Sequence, residues 1–186
     1  MTTPFIIETS NSHQVTLDVF SRLQKERIIF IGTEIDADLA NTVVAQLLYL
    51  DSLSQKPITL YLNTPGGSVD AGLAIYDTMN LIKSPVNTTC VGVAASMGAI
   101  LLVNGATRRI LPHSRVLIHQ PSGYAYGKCS DAKIDFEELE KAKVELCNIL
   151  AKKTGKDYDT IWKDFDRDKW FSAEEAVAYG LVDKIV

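Results

Sequence analysis

The sequence predicts a single α/β domain in which short buried strands alternate with amphipathic helices. Three observations carry that expectation. Apolar runs such as Ile28-Ile29-Phe30-Ile31 and Ile58 to Leu62 are short and lack polar alternation, as buried strands do. Between them, apolar residues recur at helical spacing. A length of 186 residues, 46% hydrophobic and 23% charged, suits one core, and no linker or low-complexity tract divides it.

The elements follow in order. Residues 1–18 read as an N-terminal arm, polar and aperiodic apart from Pro4-Phe5-Ile6-Ile7. The strand Ile28–Ile31 stops at Gly32, and Leu39, Val43, Val44, Leu47, Leu48 and Leu50 mark the first helix. Ile58–Leu62 is the next strand, closed by the turn Asn63-Thr64-Pro65-Gly66-Gly67. Leu73, Ile75, Tyr76, Met79, Leu81 and Ile82 fit a helix that ends near Ser84-Pro85. Val86–Val91 reads as a strand and Ser96–Val103 as a short helix of small and apolar residues. Arg109–Leu111 and Arg115–Ile118 are strands around Pro112-His113. The longest helical pattern runs from Asp131 to Lys153, with Leu139, Ala142, Leu146, Ile149 and Leu150 on one stripe amid Glu and Lys. Ser172-x-x-Glu175 is a capping box, and Gly180 is a fitting stop for its helix.

Composition excludes several classes of function. With 19 basic and 23 acidic side chains the net charge is −4, and the basic residues are scattered, which argues against a nucleic-acid or anionic-membrane surface. Cys90, Cys129 and Cys147 are odd in number and widely spaced, giving neither a zinc framework nor a disulfide scaffold. Neither a secretory leader nor a membrane-spanning run is apparent, so a cytoplasmic location is expected.

The chemistry-bearing residues are few. Of three histidines, His13 lies in the polar arm and His113 beside a turn proline, whereas His119 ends an apolar strand, where sites form in α/β proteins. Ser96, in Ala94-Ala95-Ser96-Met97-Gly98, stands between a strand and a helix among small residues. There its hydroxyl would sit beside free helix N–H groups, although on these residues alone a plain N-cap is the commoner explanation of a serine. Pro65-Gly66-Gly67 also joins a strand to a helix, and its bare backbone could approach a carbonyl closely. Two such turns suit the two halves of an oxyanion hole. A third, acidic member could come from Asp164, Asp166 or Asp168 in an aromatic-flanked acidic stretch, and spacing alone does not choose among them. No phosphate-binding loop is present.

Several blocks together resemble the ClpP family of bacterial Clp proteases. They are Tyr61-Leu62-Asn63-Thr64-Pro65-Gly66-Gly67, Ala94-Ala95-Ser96-Met97-Gly98-Ala99, Ile118-His119-Gln120-Pro121, Arg167-Asp168 and the ending Ser172-Ala173-Glu174-Glu175-Ala176. The resemblance covers essentially the whole chain. It implies a crotonase-like ββα superhelix over residues 19–186, with a projecting handle at about 122–153. It also implies Ser96 as nucleophile, His119 as base, Asp168 as the acid that orients the histidine, and the N–H groups of Gly67 and Met97 as the oxyanion hole. Gly123, Tyr124, Ala125, Tyr126 and Gly127 would form the substrate-binding strand, and Asp166 with Arg167 a contact between rings. Seven-membered rings stacked as a tetradecamer are implied, fed with protein substrates by an AAA+ unfoldase of the ClpX or ClpA/ClpC type. ATP would be used by that partner, with no cofactor or metal in this chain.

The sequence departs from the family pattern in places. Val93 stands where glutamine is common, Thr59 where an aromatic is common, Ser12-His13-Gln14 where Arg-Gly-Glu is common, and Ala125-Tyr126-Gly127-Lys128 where Tyr-Gln-Gly-Gln is usual. These departures suggest a subunit that needs a second ClpP paralogue for full activity. A crotonase-type acyl-CoA enzyme and a structural ring subunit of the ClpR type would share the fold. The first would need no Ser-His-Asp set, and the second typically lacks part of one.

Overall fold

Strand–helix alternation builds a mainly parallel sheet in the computed structural model, which describes residues 4–10, 13–123 and 127–186. Strands β3 (Ile28–Ile31), β4 (Ile58–Thr64), β5 (Val86–Ala95), β6 (Arg108–Ile110) and β9 (Lys184–Ile185) lie side by side in that order, all parallel. Parallel neighbours need crossovers. Helices α2 (Ala37–Leu53), α3 (Val69–Leu81) and α4 (Met97–Val103) supply the first three. Asp36 and Ser68 cap α2 and α3 by accepting from Leu39 N–H and Ala71 N–H. Every residue of α4 is buried, so its all-apolar sequence is that of a central helix and not an amphipathic one.

The longest strand changes partners midway. Residues Thr88–Cys90 of β5 pair with β6, whereas Val93–Ala95 pair with β7 (Arg115–Ile118). Gly92 makes the break, with φ +85 and its N–H donated to Ser114 Oγ at 2.8 Å. A side chain there would meet Asn63 Oδ1 at 2.7 Å, so glycine is required twice over. Strand β8 (Lys169–Phe171) then runs antiparallel to β7.

The remaining helices are α1 (Val19–Lys25), α5 (Cys129–Thr154), α6 (Tyr158–Asp164) and α7 (Ala173–Tyr179). The expected capping box at Ser172 and Glu175 is present, and Gly180 ends α7 in the left-handed conformation. The stripe expected along α5 is buried only toward its C-terminal end, at Leu146, Cys147 and Leu150, while Leu139 and Ala142 are half-buried. Ile134 and Phe136, earlier in the same helix, are more than half exposed. Among the described residues no helix is long and apolar enough to cross a membrane.

The N-terminal reading needs correction. The segment read as aperiodic contains a paired unit: β1 (Phe5–Ser10) pairs with β2 (His13–Asp18) antiparallel, with Ser10 opposite His13. Exposure alternates along β1, but Phe5 and Ile7 lie on the open face and Glu8 on the covered one, so polarity does not follow burial and the strand leaves no alternation in the sequence. Asp18 then caps α1 through Phe20 N–H and Ser21 N–H.

Arg27 fastens the edge of this scaffold. Its guanidinium donates to the carbonyls of Leu50, Ser54, Lys56 and Pro57 and to Ser84 Oγ, at 2.7 to 3.2 Å. Two of those carbonyls belong to the end of α2: Leu50 O also accepts from Ser54 N–H at 3.3 Å, whereas Ser54 O lies past the last helical bond. Arg27→Ala should therefore cost about 2–4 kcal/mol, read as a lower urea midpoint, because several acceptors lose their donor at once. A change under about 0.5 kcal/mol would show the fastening to be idle.

Candidate active site

The site forms where β4, β5 and β7 end together. The turn after β4 is set by Thr64, whose buried hydroxyl donates to Thr33 O at 2.6 Å and accepts from Gly66 N–H at 3.1 Å. Ile35 bridges Gly67 in parallel fashion: Ile35 N–H donates to Gly66 O and Ser68 N–H to Ile35 O, both at 2.8 Å. Alternation along the chain therefore turns the Gly67 N–H away from Ile35. Gly66 lies directly against the next element, since a Cβ on it would stand 2.6 Å from Ser96 Cβ and 3.0 Å from Met97 N.

Ser96 occupies an unusual backbone position, with φ 53 and ψ −121. Such a conformation costs a non-glycine residue about 1–3 kcal/mol and persists only where its surroundings enforce it. The enforcement is visible: Ser96 N–H donates to Leu117 O at 2.9 Å, and Gly66 packs against its side chain. The capping role that the sequence also allowed is absent, because the Ser96 side chain makes no cap bond to α4. Met97, the first residue of α4, has an N–H at the position where helices leave amides without an internal acceptor.

His119 and Asp168 are brought together by strand register. Val116, Leu117 and Ile118 of β7 face Phe171, Trp170 and Lys169 of β8, and the next position opposes His119 to Asp168. Their side chains meet, with His119 Nδ1–H donating to Asp168 Oδ1 at 2.9 Å. Since the carboxylate accepts, Nδ1 carries the proton and Nε2 is left free as a base. The other two acids of the stretch have different partners. Asp164 accepts from Lys169 Nζ at 2.6 Å and from Tyr179 OH at 2.7 Å, while Asp166 faces Lys143 and Arg167.

Gly67, Ser96, Met97 and His119 line one cavity of about 380 Å³, with Val69, Ile100, Leu146 and Phe165 as its apolar wall and Glu34 beside them. Among the described residues no hydrogen bond joins Ser96 Oγ to the His119 ring, and in unliganded sites such bonds are often long. A larger hollow of about 860 Å³ lies beside α5, at Tyr76, Val144, Ile149 and Trp162, and its lining has no serine, cysteine or histidine. The buried cysteines are poorly suited to nucleophilic work, since burial pushes the Cys90 thiol up to about 12 and that of Cys147 to about 11.

The pattern of the whole sequence agrees with a known family, whose model, described as Clp protease, matches residues 11–186. The chain belongs to the Clp protease family. Relatives of the Clp family that are similar to it include proteins named ATP-dependent Clp protease proteolytic subunit from Bacteroides fragilis and Bacteroides thetaiotaomicron. Each is 53% identical over 98% of this chain, covering 90% and 84% of the relative respectively. A protein from Salinibacter ruber named ATP-dependent Clp protease proteolytic subunit 1 is 50% identical over 98% of this chain and 80% of its own length. Membership brings the ClpP/crotonase-like fold, consistent with the parallel sheet and its crossover helices.

Other expected Clp residues fall as follows. Asp166 is about half exposed and Arg167 almost wholly so, with their side chains 3.6 Å apart. Of the residues expected to receive substrate, Gly123 and Gly127 lie outside the described strands, and Gly127 has φ +105. Tyr124, Ala125 and Tyr126 lie outside the described residues. Two neighbours carry little or no sequence signal. Thr64 is marked only by its place before Pro-Gly-Gly, and Gln120 only by adjacency to His119.

Proposed function

We propose that this chain is the proteolytic subunit of an ATP-dependent Clp protease and acts as a serine endopeptidase. The observation that carries the reading is His119, bonded to Asp168 on one side, lining the same cavity as Ser96 at its enforced backbone turn. In the proposed reaction His119 Nε2 takes the Ser96 hydroxyl proton as Oγ bonds to the peptide carbonyl carbon. The N–H groups of Gly67 and Met97 stabilise the charge on oxygen, and Asp168 offsets the imidazolium. The imidazolium then protonates the leaving amine, the C–N bond breaks, and water enters by the same route to release the acid. The apolar wall of Val69, Ile100, Leu146 and Phe165 suits an apolar residue beside the scissile bond.

The names of the relatives support an assembly with an ATP-driven partner, and a crotonase-type acyl-CoA reading would leave the His–Asp pair without work. In this proposal residues 1–18 form an axial arm, 19–186 the protease domain and 122–153 the handle between two seven-membered rings. The exposed Asp166 and Arg167 fit contact with another subunit. An AAA+ unfoldase of the ClpX or ClpA/ClpC type would deliver unfolded protein in the cytoplasm and consume the ATP. A substrate would add as a strand beside residues 122–128. A second ClpP paralogue in the ring is the companion reading, favoured by Val93 and Thr59 and by one relative being numbered subunit 1.

A fluorophosphonate probe tests the proposal. Covalent label is expected on the peptide that contains Ser96, in the chain alone or mixed with a second Clp subunit. Absence of label in both would overturn the serine mechanism, and label elsewhere would move the site.

A further inference from the structure

We infer that Gln120 is a positioning residue that holds Asp168 against His119, in place of a missing rung of the β7–β8 ladder. The inference rests on the proposed triad and adds a residue to it. Leu117 O accepts from Ser96 N–H, so Leu117 turns its backbone groups toward β5. Alternation then turns Val116 and Ile118 toward β8, making Ile118·Lys169 the last backbone-bonded pair. His119 and Asp168 therefore occupy a non-hydrogen-bonded position. Such positions bring side chains close but provide no backbone bond of their own.

The next rung would join the backbones of Gln120 and Arg167, and the ladder stops before it. Pro121, which follows, has no N–H to offer. A side-chain bond closes the gap: Gln120 Nε2 donates to Asp166 O at 2.8 Å. The His119–Asp168 contact is thus bracketed by the Ile118·Lys169 rung on one side and the Gln120 amide on the other. The acceptor is itself held, because Lys143 Nζ lies 3.6 Å from Asp166 Oδ1 and 4.1 Å from the centre of the Trp162 ring. Asp168 needs this bracket because its side chain is 65% exposed and water competes for its carboxylate.

Gln120→Ala and Gln120→Glu test the inference in the assembled protein, with peptide hydrolysis as readout. Alanine removes the amide, and glutamate keeps its size while presenting a carboxylate to the Asp166 carbonyl. Each is expected to lower kcat roughly tenfold and leave KM within about twofold, as loss of alignment does when binding is intact. Asp168→Ala should lower kcat by about 10³–10⁴, and adding Gln120→Ala to it should cost nothing more, since the orienting acid is gone. Unchanged kcat in both Gln120 variants beside an inactive Asp168→Ala would overturn the inference alone. So would an equal further loss in the double variant, which would mark Gln120 as merely structural. Full activity in Asp168→Ala would instead overturn the triad and the inference with it.

Discussion

Ser96→Ala is expected to lower the kcat for peptide hydrolysis by about 10⁴–10⁶, with KM and native mass unchanged. The size of the effect follows from the role: no covalent acyl intermediate can form without Oγ, and the residual rate reflects oxyanion stabilisation and binding alone. Stability should rise slightly or stay level, because alanine at φ 53 bears the same strain as serine and the serine hydroxyl gives up no cap bond. A loss of rate accompanied by dissociation or unfolding would point to a structural role. Retained turnover in well-formed assemblies would remove Ser96 from the chemistry altogether.

Gly67→Ala should also be severe, though less so than Ser96→Ala, and for a different reason. A Cβ at Gly67 would stand 2.3 Å from Ile35 O and 2.7 Å from Ile35 N, and its φ of +152 already lies where side chains are strained. The neighbour is backbone, so it cannot swing aside as a flexible side chain would. Relief requires the Ile35–Gly67 bridge to part, which re-aims the Gly67 N–H. A fall in kcat of about 10²–10³ is expected, the range for one lost oxyanion donor, together with a lower unfolding midpoint. Gly32→Ala is the control, since a side chain there meets nothing within 4 Å and should leave both quantities near wild type. Full peptidase activity in Gly67→Ala would exclude that N–H from the oxyanion hole.

The legibility of the molecule follows element length and the location of each element's partner. Helices α2 and α3 are long enough to show a period, strands β3, β4 and β7 and helix α4 are marked by short apolar runs, and each lies close to its sequence expectation. Strands β8 and β9, of three and two residues, are too short for any period to register. Helices α1 and α6, seven residues each, announce themselves in sequence only by their capping aspartates, Asp18 and Asp157. The stripe on α5 is real as a pattern, yet at Leu139 and Ala142 the chain offers little to cover it.

The candidate site divides in the same way. Ser96 and Pro65-Gly66-Gly67 are readable because strand-to-helix turns with small residues are local features. Whether Ser96 caps α4 is decided by its backbone angles and the absent cap bond, which no sequence pattern encodes. Among acids, spacing leaves Asp164, Asp166 and Asp168 equivalent, and the resemblance names the third. The structure supplies the physical ground, since one register assigns Asp168 to His119 while Asp164 and Asp166 bond to Lys169 and Lys143.

That register has an implication for how such a protein can change over time. His119 and Asp168 are 49 positions apart, and α5 and α6 between them belong to an excursion that leaves the sheet before β8 rejoins it. A one-residue slip of β8 along β7 would turn Asp168 to the opposite face, so the zipper tolerates no error. Within the excursion Leu146 and Phe165 wall the cavity and Lys143 braces Asp166, so they are held with the register, whereas the exposed early turns of α5, at Ile134 and Phe136, are free to change. Those exposed turns are the part of the chain best placed to diversify, and new assemblies can be tried there without disturbing the proposed triad.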